Sequence, residues 1–148
     1  MKQFQYASPK SAQEVISMLG AEKNVKIIAG GLDLVGELKH HLIDPDILVN
    51  VTEIDELEYI TTEGDTTKIG ANAKICDISH DGSIRTKHTA VSDAAKSVGS
   101  PQIRHVGTLG GNLCQRPRCW YYRDEEYKCL KKGGHICFSV TGRNKYNA

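Results

Sequence analysis

Apolar residues near the start of the chain recur with two different periods, and the change from one to the other marks out the first elements. Ala12, Val15, Ile16 and Leu19 fall at i, i+3, i+4 and i+7, the stripe of an amphipathic helix packed on a sheet. Ser8-Pro9 starts that helix, since a proline in the first turn loses no bond; Ser11 with Glu14 offers a second cap, and Gly20 ends it. FQYASP before it reads as a short strand. Val25-Lys26-Ile27-Ile28, bounded by Asn24 and by Ala29-Gly30-Gly31, predicts a buried strand feeding a glycine turn. Asp33 then caps a helix to about His40, with Leu34, Val35 and Leu38 inward. Ile47-Leu48-Val49-Asn50-Val51 is a further strand, and the strand–helix–strand order favours parallel pairing with a right-handed crossover. Tyr59–Thr62 and Thr67–Gly70, separated by Glu63-Gly64-Asp65, predict a hairpin.

Residues 73–98 read as two helices split by Asp81-Gly82, the second from about Thr89 to Val98 with Val91, Ala94, Ala95 and Val98 on one side. Ser100-Pro101 breaks the helix. Gln102 to Asn112 follows as an apolar-alternating stretch ending in a second double glycine.

Composition adds limits. With 148 residues, 39% hydrophobic and 25% charged, the chain has the size and balance of one soluble globular domain. No stretch approaches the ~18 apolar residues of a membrane span, and MKQFQYASPK lacks the apolar core of a secretory signal, so a cytoplasmic location is expected. A net charge of +1 argues against nucleic acid or an anionic membrane as the main partner. That charge is uneven, +5 over residues 116–148 against −4 before them. Four of the five cysteines, Cys114, Cys119, Cys129 and Cys137, fall within 24 residues in or beside the basic tail.

A double glycine lets backbone N–H groups reach a ligand without a Cβ in the way, and converging N–H groups make an anion site. Ala29-Gly30-Gly31-Leu32-Asp33 has a strand before it and a helix after it; Thr108-Leu109-Gly110-Gly111-Asn112 offers a hydroxyl, an amide and further free N–H groups. Two such loops could grip one diphosphate from opposite sides, or each could be a plain tight turn. Neither has dinucleotide-fingerprint or Walker spacing.

Lys26–Leu34, Asp46–Val51, Ile69-Gly70-Ala71 and Ser100–Leu113, in this order, resemble the FAD-binding subunit of molybdenum hydroxylases, the relatives of xanthine dehydrogenase, carbon monoxide dehydrogenase and 4-hydroxybenzoyl-CoA reductase. The resemblance implies a two-lobed α+β fold of the molybdopterin dehydrogenase type: a small parallel or mixed sheet with helices, then the start of a second α+β lobe. The first FAD-binding lobe would take residues 1–55, the second 56–113 with the second glycine loop, and a cluster-binding segment 114–148. It further implies FAD contacts at Ala29, Gly30, Gly31, Leu32, Asp33 and Leu34, and at Thr108, Gly110, Gly111 and Asn112. Leu32 departs from the hydroxyl residue that often precedes the acid. Such subunits are nearly twice this length, so the chain is expected to be a fragment or one half of a split subunit completed by a second chain.

The cysteines follow C-x4-C-x9-C-x7-C. Clustered thiols in a chain expected to be cytoplasmic are more often metal ligands than disulfides, and thiolates suit iron–sulfur centres or zinc. Only Cys114/Cys119 approach a zinc-knuckle spacing. Arg116, Arg118, Arg123, Lys128, Lys131 and Lys132 could offset the charge of a cluster. Asn112–Arg123, above all Arg118-Cys119-Trp120-Tyr121-Tyr122-Arg123, resembles the insertion of one branch of the family, which includes 4-hydroxybenzoyl-CoA reductase and certain bacterial aldehyde oxidoreductases. In that branch the flavin subunit carries an extra [4Fe-4S] cluster, which implies Cys119, Cys129 and Cys137 as ligands and Cys114 as the fourth, unless Cys114 packs on the glycine loop. The aromatics of Trp120-Tyr121-Tyr122 would shield the cluster from water. His135 is a minor alternative ligand, and Cys76 reads as a core thiol.

The resemblance implies an electron-transfer component of a hydroxylase complex: substrate oxidation at molybdopterin on a large subunit, [2Fe-2S] centres on a small subunit, FAD here, and an external acceptor. No side chain of this chain is expected to act as acid, base or nucleophile. The alternative is a non-catalytic assembly module with a zinc-stapled tail and glycine loops that are only turns.

Overall fold

In a computed structural model the described residues are 2–21, 24–145 and 147. The chain separates into two units, one centred on Asp33–Asp44 and Gln115–Ala148, the other on Phe4–Leu32 and Pro45–Cys114.

The larger unit opens with β1 (Gln5–Ala7), α1 (Ala12–Ala21), β2 (Val25–Ile28) and, after a gap in sequence, β3 (Ile47–Asn50). The strands form a three-stranded parallel sheet with β3 in the centre: Gln5 and Val25 both lie opposite Ile47, and Ile28 lies opposite Asn50. The parallel pairing of β2 and β3 is the one the strand–helix–strand order favours. A buried β2 is not found, however: it is an edge strand, Ile27 is 46% exposed, and Val25 and Ile28 are only partly covered, Val25 against the core. The α1 stripe is likewise narrower than its period suggests. Val15 is buried with Met18 packed beside it, whereas Ile16 and Leu19 are exposed, because a helix lying on three short strands covers less than one full face. Val15, Val49, Val51 and Ile54 form this first core.

A hairpin of β4 (Ile60–Glu63) and β5 (Thr66–Ile69) turns at Gly64-Asp65, with Gly64 at φ 58° supplying the left-handed residue. Next come α3 (Ile75–His80), α4 (Gly82–Lys87) and α5 (Thr89–Ser97), three helices where the sequence reading has two. The additional one is α4, started by Asp81, whose side chain accepts the Ile84 N–H at 2.8 Å. On α5 the buried positions are Ser92 and Ala95, with Val98 partly buried, while Val91 and Ala94 face water. The helix is rotated because Ser92 donates its hydroxyl to the Ser79 carbonyl (3.0 Å) on α3, which brings a polar residue inward. Ala73, Ile75, Ile78, Ile84 and Ala95 are the second core. Cys76 is buried here, as a core thiol should be, and burial, followed by its hydrogen bond to Asp77, pushes that thiol up.

The alternating stretch after Ser100-Pro101 is helical: α6 (Pro101–Val106) and α7 (Leu109–Leu113). Ser100 caps α6 by accepting the Ile103 N–H, and Pro101 sits at its start, where proline stabilises a helix instead of breaking it.

The smaller unit holds α2 (Leu34–Lys39), α8 (Trp120–Arg123), a 3-10 turn at Leu130–Lys132 and α9 (Phe138–Thr141). Its interior is Leu38, Glu37, Tyr122 and Cys129, all buried, beside a ring cluster of Tyr121, Tyr127 and Phe138 with centroids 5.1–5.5 Å apart. Among the described residues no helix is long and apolar enough to cross a membrane.

Asn72, 1% exposed, ties the larger unit together: its Nδ2 donates to the carbonyls of Val51 and Ile54, where the chain leaves β3. Replacing Asn72 by Ala removes that donor while the Val51 carbonyl keeps the Ile54 N–H (3.3 Å) and the Ile54 carbonyl the Leu57 N–H (3.1 Å), so the expected cost in urea unfolding of the full chain is about 1 kcal/mol.

Candidate functional site

The site is built from where β2 ends. The last bond of the β2–β3 ladder runs from the Val51 N–H to the Ile28 carbonyl (3.0 Å). The Val51 carbonyl, next in line for the Gly30 N–H, is taken by Asn72. The ladder therefore stops, and among the described residues the amides of Gly30, Gly31 and Leu32 have no acceptor. Gly31 turns the chain at φ 72°, a conformation side chains rarely adopt. Gly30 is required for a different reason: a Cβ there would overlap the carbonyl of Val106. Leu32, 46% exposed, lies near Gly107, whose added Cβ would be 3.6 Å from the Leu32 Cδ1. The two glycine segments thus abut within one unit, and the first presents a run of unspent N–H groups suited to an anion.

The second segment is not a corner. Gly110 and Gly111 lie inside α7, where buried Thr108 is the N-cap and its hydroxyl accepts the Gly111 N–H at 3.2 Å. The free N–H groups expected there are spent within the chain: Leu109 donates to Ala73 (2.9 Å), Gly110 to Ala71 (2.8 Å) and Asn112 to Thr108 (2.9 Å). Gly110 has no room for a side chain, since a Cβ would sit 3.1 Å from Ala71. What this segment offers outward is the exposed backbone of Gly111 and the partly exposed Asn112 side chain. The contacts with the first glycine loop come from Val106 and Gly107, just before this segment.

Asp33 and Leu34 belong to the smaller unit. Asp33 occupies the N-cap position of α2 but makes no side-chain cap bond. Its carboxylate accepts instead from Arg118 Nε (3.0 Å) and Nη2 (3.1 Å) and from Arg123 Nη2 (3.1 Å). The hydrogen bond to Asp33 holds the Arg118 guanidinium above its ordinary value. Two of the six cations read as offsetting a cluster are therefore committed to one carboxylate. No local signal could have found this, because the partners are 85 and 90 residues away in sequence.

Among the described residues no group of three or more His, Cys, Asp or Glu is placed to hold a metal ion. Cys114 is exposed at the end of α7 in the larger unit, and the other three cysteines belong to the smaller one. Cys119 begins α8, Cys129 is buried before the 3-10 turn, and Cys137 is exposed at the start of α9; His135 is exposed. Cys119, Cys129 and Cys137 come from three short elements of the smaller unit, with Cys119 Sγ beside the Ser139 hydroxyl and Cys129 bridged to Ile136, the residue before Cys137. Trp120, read as a shield, is 67% exposed and lines a groove of about 590 Å³ with His40, His41, Arg118 and Arg123, whereas Tyr122 is buried, its hydroxyl pushed up by that burial and by the charge of Glu37.

Cys119 has its own chemistry. Its Sγ lies 3.3 Å from the Ser139 hydroxyl. Burial pushes its thiol up, but the Ser139 hydroxyl, the N–H groups of Tyr122 and Tyr121 and the charge of Lys132 together outweigh it, and the net direction is down.

The chain matches the FAD-binding domain of molybdopterin dehydrogenases over residues 2–119, and it belongs to that family. It is 43% identical over 115 residues to the nicotinate dehydrogenase FAD-subunit of Eubacterium barkeri, covering 76% of this chain and 39% of that one. It is 28% identical over 149 residues to the aldehyde oxidoreductase FAD-binding subunit PaoB of Escherichia coli K12, a match covering 100% of this chain and 47% of the relative. Among solved structures, carbon monoxide dehydrogenase from Hydrogenophaga pseudoflava superposes with a TM-score of 0.72 at 33% identity, over 75% of this chain and 39% of that one. The α+β fold is thus that of the family, and the chain spans about two fifths of the length of the relatives it matches.

A lowered Cys119 pKa keeps its thiolate populated to lower pH than an ordinary cysteine, so iodoacetamide is expected to modify Cys119 faster than Cys114 and Cys137 near pH 7. Ser139→Ala should slow that reaction about threefold, read cysteine by cysteine by mass spectrometry.

Proposed function

We propose that the chain is the N-terminal part of the FAD-binding medium subunit of a molybdenum hydroxylase-type oxidoreductase. It passes electrons between partner iron–sulfur centres, FAD and an external acceptor, while substrate is oxidised on a molybdopterin-binding large subunit. The observation that carries this reading is the run of unspent amides at Gly30, Gly31 and Leu32, held open by Asn72 and backed by the Val106 carbonyl, in a chain of this family. The residues fit a dinucleotide's diphosphate. Ala29 to Leu34 would bind it through main-chain N–H groups, and Thr108, Gly110, Gly111 and Asn112 would fix that loop from behind, Asn112 adding a side-chain amide.

Bound FAD supplies the one- and two-electron chemistry that no side chain here has. The chain's own contribution is to bind and orient it. Amides already fixed by α6, α7 and Asn72 need no reordering when the phosphates arrive. The relatives are named as subunits and medium chains, which supports the large and small partners.

A second reading, in which the tail carries a [4Fe-4S] cluster, is favoured by one observation: the PaoB match runs through the whole tail, where the match to the nicotinate dehydrogenase subunit covers 76% of the chain. Among the described residues no group of three or more His, Cys, Asp or Glu is poised for a metal as folded, so no electron path is drawn through the tail.

Titration of the full-length chain with FAD, followed by flavin fluorescence, tests the first reading. Gly30→Ala should weaken binding at least about tenfold, because the loop must shift to clear Val106; unchanged affinity refutes the corner as the site. Metal analysis of anaerobically isolated protein decides the tail. About four iron and four sulfide per chain would establish the cluster and require the tail to refold around it. One zinc would support a stapled module, and metal-free protein the arrangement described.

A further inference from the structure

Asp33 stands in the run of residues that the family resemblance gives to the flavin, yet its carboxylate is engaged elsewhere. Arg118 grips both oxygens through Nε and Nη2, the two-pronged geometry in which a guanidinium binds a carboxylate most firmly, and Arg123 adds a third donor to Oδ1. We infer that the Asp33 carboxylate is the anchor on which the cysteine-bearing segment folds, and that this side chain serves the segment rather than the flavin.

The argument starts from α8, which has four residues and cannot stand as an isolated helix. Arg118 lies two residues before it and Arg123 is its last residue, so one carboxylate holds the chain at both ends of the turn. Between them is Tyr122, buried against the same interior as Cys129. Releasing the clasp frees both ends of α8 at once and loosens the packing that keeps Cys129, 7% exposed, from water. The Asp33 side chain is 20% exposed and that of Arg123 30%, so this arm of the clasp is sheltered, while Arg118 reaches the carboxylate in two-pronged geometry from a side chain that is 61% exposed. Charge points the same way. A bare carboxylate beside a diphosphate would repel it, whereas Asp33 bound by two arginines contributes no net negative charge to the loop that it ends.

The test uses the full chain, reduced and freed of metal by a chelator, with iodoacetamide labelling of each cysteine followed by mass spectrometry. Asp33→Asn, and separately Arg118→Ala with Arg123→Ala, should raise the labelling rate of Cys129 about tenfold or more. Cys76, buried in the other unit, should stay protected, and Asp33→Glu should restore Cys129 to within about threefold of the parent. Equal Cys129 rates in the parent and Asp33→Asn overturn the inference. So does a matching rise at Cys76, which would make Asp33 a residue of general stability. FAD affinity in the same proteins supplies the other half, which rests on the function proposed above: Asp33→Asn keeps the main-chain N–H of the residue, so a loss of FAD there is read against the protection of Cys129. Loss of FAD with Cys129 still protected would assign the carboxylate to the flavin. A parent chain that binds no FAD would refute the proposed function and leave the labelling result standing.

Discussion

Backbone packed directly on backbone, where Gly30 lies against the carbonyl of Val106, is the constraint on which the larger unit depends. A close approach of this kind admits no side chain, so the end of β2 and the end of α6 are fixed against each other without an intervening layer. The carbonyl of Gly107 then accepts the Ile75 N–H at 3.0 Å, and Leu109 returns a bond to Ala73, so the same joint is pinned to the start of α3. The glycine run gains its rigidity from three separate parts of the chain. Preorganised donors of this sort favour an anion because the ordering has been done during folding.

Much of the architecture was legible from local pattern. The apolar runs at Val25–Ile28 and Ile47–Val51 gave strands and their parallel pairing, and the Gly64-Asp65 turn gave the hairpin. What failed did so for identifiable reasons. Alternation over Gln102–Asn112 looked extended, yet Ser100 and Thr108 each cap a short helix, and a capping hydroxyl decides a five- or six-residue segment more strongly than its apolar spacing. The stripe of α5 was misplaced because Ser92 has a buried partner on α3 that no periodicity reveals.

The site was legible in part. Gly30 and Gly31 stood out because a strand feeding a double glycine can leave main-chain N–H groups open, although the same pattern also makes plain turns. The bracing by Asn72 and Val106, and the capture of Asp33 by Arg118 and Arg123, depend on contacts between residues distant in sequence. Clustered cysteines suggested a common centre because they are close in sequence. The short helices and turns between them carry the thiols onto different elements, and among the described residues no group of three or more His, Cys, Asp or Glu is poised for a metal in the fold described.

The five sulfurs differ sharply in how far the fold shelters them, and this sets an order in which oxygen would consume them. Cys114 and Cys137 stand open, Cys119 is half covered with its thiol pushed down, and Cys129 and Cys76 are enclosed. Peroxide attacks accessible thiolate first, so a preparation left in air loses the chemistry of its basic tail while the helices around Cys76 keep their packing. An aged sample would still look well folded by circular dichroism after its sulfur had been altered.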